Sequence, residues 1–132
     1  MAHATARPPS AEEQMSEAPP DIETMRGVID RLLDPDAVPE TLPPAPGELE
    51  TLTAQIRGHL ALLLPEVEEA AGKLPRQSIP RFCALACVGE ARERLRADPT
   101  PRYGGIPGHA RRLARTLNAV CDHWEALTRV TR

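Results

Sequence analysis

The stretch Ile106–Leu127, IPGHARRLARTLNAVCDHWEAL, places apolar residues at Ile106, Ala110, Leu113, Leu117, Val120, Trp124 and Leu127. The spacings alternate four and three. That is a heptad stripe, the pattern of a helix packed along one seam in a bundle. It predicts a last helix from about Pro107 to Val130 and sets the fold class as all-α.

Working back from it, Ile79 to Ala97 reads as a second helix of the same kind. Ser78 is a plausible N-cap, and Pro80 falls in the first turn, where its missing N–H costs nothing. The segment from Phe82 to Gly89 (FCALACVG) is apolar all round, which predicts burial on most sides. Glu90 to Arg96 then turns charged, and Asp98-Pro99 ends the helix. Thr100 to Gly108, with Tyr103, Gly104 and Gly105, is a turn region.

A longer helix is expected from about Gly47 to Leu74. Its stripe is Leu49, Leu52, Ile56, Leu60, Leu63, Val67, Ala70 and Leu74, again at spacings of three and four. Pro65 removes one backbone hydrogen bond and predicts a kink or break just before it. Short links between these three helices imply antiparallel neighbours. A shorter helix, Asp21 to Asp34, carries Ile22, Met25, Ile29, Leu32 and Leu33 and ends at Asp34-Pro35. Pro35 to Pro46 is a Pro-rich linker, semi-rigid and extended. It allows the first helix either to dock as a fourth member or to stay apart. Residues 1–20 read as a disordered tail. The expected architecture is an antiparallel bundle of three core helices plus a short N-terminal helix, one domain spanning residues 21–132.

Composition agrees. Hydrophobic residues make up 41% of 132 positions but aromatics only 2%, namely Phe82, Tyr103 and Trp124. The core must come from Leu, Ile, Val and Ala, a mix that suits helices. Nine of the 15 prolines lie at or before Pro46. Net charge is −3, yet residues 1–75 hold 5 basic and 14 acidic groups and residues 76–132 hold 11 and 5. The basic half either packs beside the acidic half or meets an anionic partner. No signal peptide and no run of roughly 20 apolar residues is present, so the expectation is a cytoplasmic protein with no membrane span and reduced cysteines.

Three segments, LALLLPEVE (Leu60–Glu68), RFCALACVGEARER (Arg81–Arg94) and HARRLARTLNAVCDHWE (His109–Glu125), resemble an actinobacterial family of unknown function. Its members usually carry the label natural product biosynthesis protein. The resemblance covers roughly residues 21–128. It implies a small all-helical fold and transfers no catalytic residue, because the family has no assigned reaction.

Few residues could carry chemistry. Cys83 and Cys87, four apart, share one helix face. Cys121 lies on the last helix. His123 cannot join it on one ion, because two helical residues point about 200° apart. His59 borders the apolar stripe of the long helix, so Cys83, Cys87, Cys121 and His59 form a candidate zinc or thiol site. No Cys-x-x-Cys pattern supports it, and free cysteines commonly act as small buried hydrophobes. Arg92 and Arg96 form one basic face, and Arg111, Arg112 and Arg115 another. Both are candidate anion or partner faces, or solvated faces paired with Glu. There is no G-x-S-x-G, P-loop or dinucleotide fingerprint. The reading that follows is a non-enzymatic interaction or accessory factor binding another protein or itself. The alternatives are a metal- or thiol-dependent accessory enzyme and a nucleic-acid binder using the Arg faces.

Overall fold

A computed structural model describes residues 19–33 and 44–130, apart from the side chains of Tyr103 and Val130. The expected tail and most of the Pro-rich linker lie outside these residues. Four α-helices follow in order: α1 (Ile22–Leu33), α2 (Pro46–Gly72), α3 (Ile79–Arg96) and α4 (Gly105–Val130). A short 3-10 turn, Pro101–Tyr103, precedes α4, and no strand occurs among the described residues. The fold is all-α, a helical bundle.

Local chemistry sets each boundary. The Asp21 carboxylate accepts from the Thr24 backbone N–H at 3.0 Å and from its hydroxyl at 2.7 Å, capping α1. Pro46 takes the first turn of α2, where it is pre-organised for a helix. The Ser78 hydroxyl accepts from Arg81 N–H at 3.1 Å, capping α3 as expected. The Arg81 guanidinium reaches back to the carbonyls of Leu74 at 3.0 Å and Gly72 at 3.3 Å. It thereby satisfies acceptors that the end of α2 leaves open. Gly104, at φ +88°, makes the left-handed step into α4. A Cβ there would stand 3.2 Å from the Gly108 Cα, so glycine is needed for both reasons.

Pro65 does not break α2, which runs through it. Pro65 is exposed, and so is Ala61, whose carbonyl loses its partner. Water can satisfy that carbonyl, so the helix tolerates the proline. α2 ends at Gly72, two residues short of expectation, and Leu74 is left half-buried in the turn beyond it.

α4 packs against the other three helices, most extensively against α2. The core joins Ile56, Leu60, Leu63 and Val67 of α2 to Leu113, Leu117 and Val120 of α4. α1 docks on α4 and α2 through Met25 and Ile29, as a fourth member of the bundle. Polar contacts hold it in place. Arg26 donates to the Asn118 carbonyl and side-chain oxygen and to the carboxylates of Asp122 and Glu125, all on α4. Arg31 meets Glu48 of α2 at 2.9 Å.

Two expectations about burial need correction. The first half of α3 is not buried all round. Ala84, Val88 and Ala91 face the core, whereas Phe82 is 74% exposed and Ile79 is 75% exposed. α3 therefore has two apolar faces, an inner one that also takes Leu85 and Leu95 against the core and an outer one with Ile79 and Phe82. The second correction concerns the seam of α4. Ile106 is 62% exposed, and the buried stripe begins one turn later at His109 and Ala110. It widens to include Ala114 and Cys121, the broad stripe of a globular helix rather than a strict coiled-coil seam. Trp124 is half-buried against the core rather than enclosed by it. No helix among the described residues is long and apolar enough to cross a membrane.

Candidate functional site

The cysteine–histidine set is spread out. Cys83 is exposed on the outer face of α3, Cys87 is half-buried, and Cys121 is buried with its thiol 4.0 Å from the Met25 sulfur. His59 lies by the start of α1, where the Asp21 charge favours its protonation and burial opposes it more strongly. Among the described residues, no group of three or more His, Cys, Asp or Glu side chains is placed to hold a metal ion. Burial pushes the Cys121 thiol up to about 11 and raises that of Cys87 as well. Both therefore stay protonated and poorly nucleophilic near neutral pH.

The two arginine faces also divide. Arg92 forms a fork with the Glu68 carboxylate of α2, at 2.7 and 3.1 Å. It is thus an internal tie between α2 and α3. Arg96, Arg111 and Arg115 are exposed. Arg112 is half-buried and lines a cleft between α3 and α4.

That cleft has a volume of about 480 Å³. Its α3 side is lined by Glu90, Glu93 and Arg94, with Asp98 just beyond the helix end, and its α4 side by His109 and Arg112. A smaller groove shares Glu90, Arg94 and Arg112 and continues along the helices to Cys87 and Arg115. His109 is only 9% exposed. Its Nε2 lies 3.1 Å from an Arg57 guanidinium nitrogen, and the other Arg57 terminal nitrogen donates to the Leu95 carbonyl at 2.9 Å. An arginine has only protons to offer. Nε2 must therefore be the acceptor, and the single proton of a neutral ring sits on Nδ1. Burial is the main reason the ring resists protonation, with the Arg57 and Arg112 charges adding to it and Asp98 opposing. Sequence reading missed both His109 and Arg57. The position of His109, one before Ala110 on the seam, was the available signal.

The second notable surface is the outer face of α3. Ile79, Phe82, Cys83 and Ala86 are exposed at i, i+3, i+4 and i+7, and exposed Gly89, Glu90 and Glu93 extend the same face. It begins just before the apolar segment of the sequence and turns Phe82 outward, whereas Leu85 and Val88 of that segment face the core.

A model of a family of unknown function, DUF6415, matches residues 23–129. The chain belongs to DUF6415. The match runs from the first turn of α1 to the end of α4, so the DUF6415 unit includes the docked first helix as well as the three longer ones. No curated protein and no solved structure matches this DUF6415 chain.

Proposed function

We propose that this protein is an interaction factor that docks a helix of a partner protein on the outer face of α3. The observation that carries the reading is the exposure of Phe82 and Ile79 on one helix face, with Cys83 and Ala86 between and beside them. Apolar anchors at this spacing are the signature of helix-to-helix recognition. Adjacent large apolar side chains on an exposed face mark an interaction site. Covering each of the two would contribute roughly 2 kcal/mol. Glu90 and Glu93 sit at the far end of the face. The partner helix therefore carries an apolar stripe with arginine or lysine at one end. The label carried by the family that the sequence resembles points to an accessory role in natural product biosynthesis, and the proposed setting is the cytoplasm.

A photo-crosslinking residue at position 82, with position 111 on the polar side of α4 as control, tests this in the native host. The reading expects one specific protein crosslinked from 82 and not from 111. It further expects that purified partner to bind the wild-type chain and to lose about tenfold or more in affinity to Phe82→Asp. Equal binding to Phe82→Asp overturns it. A wild-type chain that sediments as a dimer, with Phe82→Asp as a monomer, assigns the face to a second copy instead.

A further inference from the structure

We infer that the cleft between α3 and α4 is a binding site for a small zwitterion, a molecule carrying both a carboxylate and an ammonium group. The inference starts from His109, which the docking face does not include, although Glu90 and Glu93 border both the cleft and the far end of that face. That ring is nine-tenths buried, and its Nε2 is occupied by Arg57. Its Nδ1–H has no acceptor among the described residues. A buried donor left without a partner costs about 1–3 kcal/mol, so such groups normally meet a water or a ligand. The residual exposure of the ring opens onto the cleft it lines.

The charges around the cleft say what kind of acceptor fits. Arg112 shares the α4 wall with His109, and Arg57 lies behind the ring. Arg57 has no carboxylate partner among the described residues. It meets only the ring nitrogen and a backbone carbonyl. This end of the cleft favours a negative group that can accept hydrogen bonds. The α3 wall is different. Glu90, Glu93 and Asp98 line it with Arg94. Three carboxylates offset the three guanidiniums, Arg57 included, so the surroundings are neutral as a whole, with the α4 wall basic and the α3 wall mostly acidic apart from Arg94, and with Asp98 near enough to act on His109. A bare dianion such as phosphate would meet those carboxylates at close range. A zwitterion places its carboxylate at His109 and Arg112 and its ammonium at Glu90 and Glu93. At about 480 Å³ the space lies within the range of small-molecule pockets.

The test uses the full chain and three probes at constant ionic strength: glycylglycine, acetate and ethylammonium. The readout is the nitrogen chemical shifts of the His109 ring and of the arginine side chains. Saturable shifts at His109 and Arg112 are expected with glycylglycine at millimolar concentration, an affinity appropriate to so small a ligand. Acetate and ethylammonium should each bind about tenfold or more weakly. Arg112→Gln and Glu93→Gln should each weaken glycylglycine about tenfold while leaving the circular dichroism spectrum unchanged. The proposal is overturned if glycylglycine gives no saturable shift. It is equally overturned if acetate binds as well as the dipeptide, since the ammonium and the acidic wall would then contribute nothing.

Discussion

The Arg57 guanidinium and the His109 ring meet at 3.1 Å, and this contact decides which ring nitrogen carries the proton. It also ties three helices together, because Arg57 belongs to α2, His109 to α4, and the second Arg57 bond goes to Leu95 of α3. A pH dependence follows. The folded state holds the His109 value below the ordinary 6.5, and burial does the same for His59. As pH falls through about 6.5, the unfolded chain takes up protons that the folded chain refuses, so stability falls. The loss continues until the folded-state values are passed and then levels off. Thermal melts should therefore show a declining Tm from pH 7 downwards. His109→Gln, whose side-chain oxygen can still accept from Arg57, should flatten part of that decline. A Tm constant between pH 7 and pH 5 would contradict the buried, Nδ1-protonated ring.

The outer face of α3 and the seam of α4 respond unequally to truncation. Leu117 is fully buried, and Leu117→Ala should cost about 2–5 kcal/mol in urea unfolding. Phe82→Ala should change stability by less than about 0.5 kcal/mol, since the ring stands largely in water. Trp124→Ala should fall between them, below the roughly 3–5 kcal/mol of a fully enclosed aromatic. A Phe82 variant as damaging as Leu117→Ala would mean that α3 is rotated from the orientation described.

Thiol labelling should follow burial. Cys83 should react with a maleimide first, Cys87 more slowly, and Cys121 only after unfolding. Mass spectrometry of peptides after timed labelling reads the order directly. Rapid native labelling of Cys121 would refute its burial and favour the thiol-enzyme reading.

The docking of α1 rests on Met25, Ile29 and the hydrogen bonds of Arg26. Arg26→Ala should cost about 1–2 kcal/mol overall, because Asp122 and Glu125 retain access to water. Its clearer signature is local. Amide exchange in α1 should accelerate more than in α2 or α4. Uniform acceleration across the whole chain would show that α1 unfolds only together with the rest.

The turn into α4 gives a backbone prediction. Gly104→Ala forces a side chain into φ +88° and against Gly108, and should cost about 1–3 kcal/mol. Gly105→Ala, also at positive φ but with open space around it, should cost less.

The helical order was legible because Leu113, Leu117 and Val120, and Ile56, Leu60 and Leu63, recur at a period that only a helix satisfies. The Ser78 and Asp21 caps were legible from residue type alone. α3 was not legible in the same way. Ala84, Val88 and Ala91 face inward and Ile79, Phe82 and Ala86 outward, so both faces are apolar and periodicity cannot choose between them. The α3–α4 cleft was partly visible through Arg112. His109 and Arg57 stayed hidden because they lie 52 residues apart in sequence and meet only when α2 and α4 pack. No local spacing encodes such a pair. Arg92 shows the converse. Pairing with Glu was one of its two readings, but only the packing of α2 against α3 shows that the partner is Glu68.

Placing Phe82 outside the core has a consequence for how this chain can change over generations. The residues that determine whether it folds, such as Leu60 and Leu117, are separate from those of the proposed docking face. Substitutions at positions 79, 82 and 86 change that proposed face and leave the buried residues of the bundle untouched. On that proposal, related chains share one scaffold and differ in what they bind.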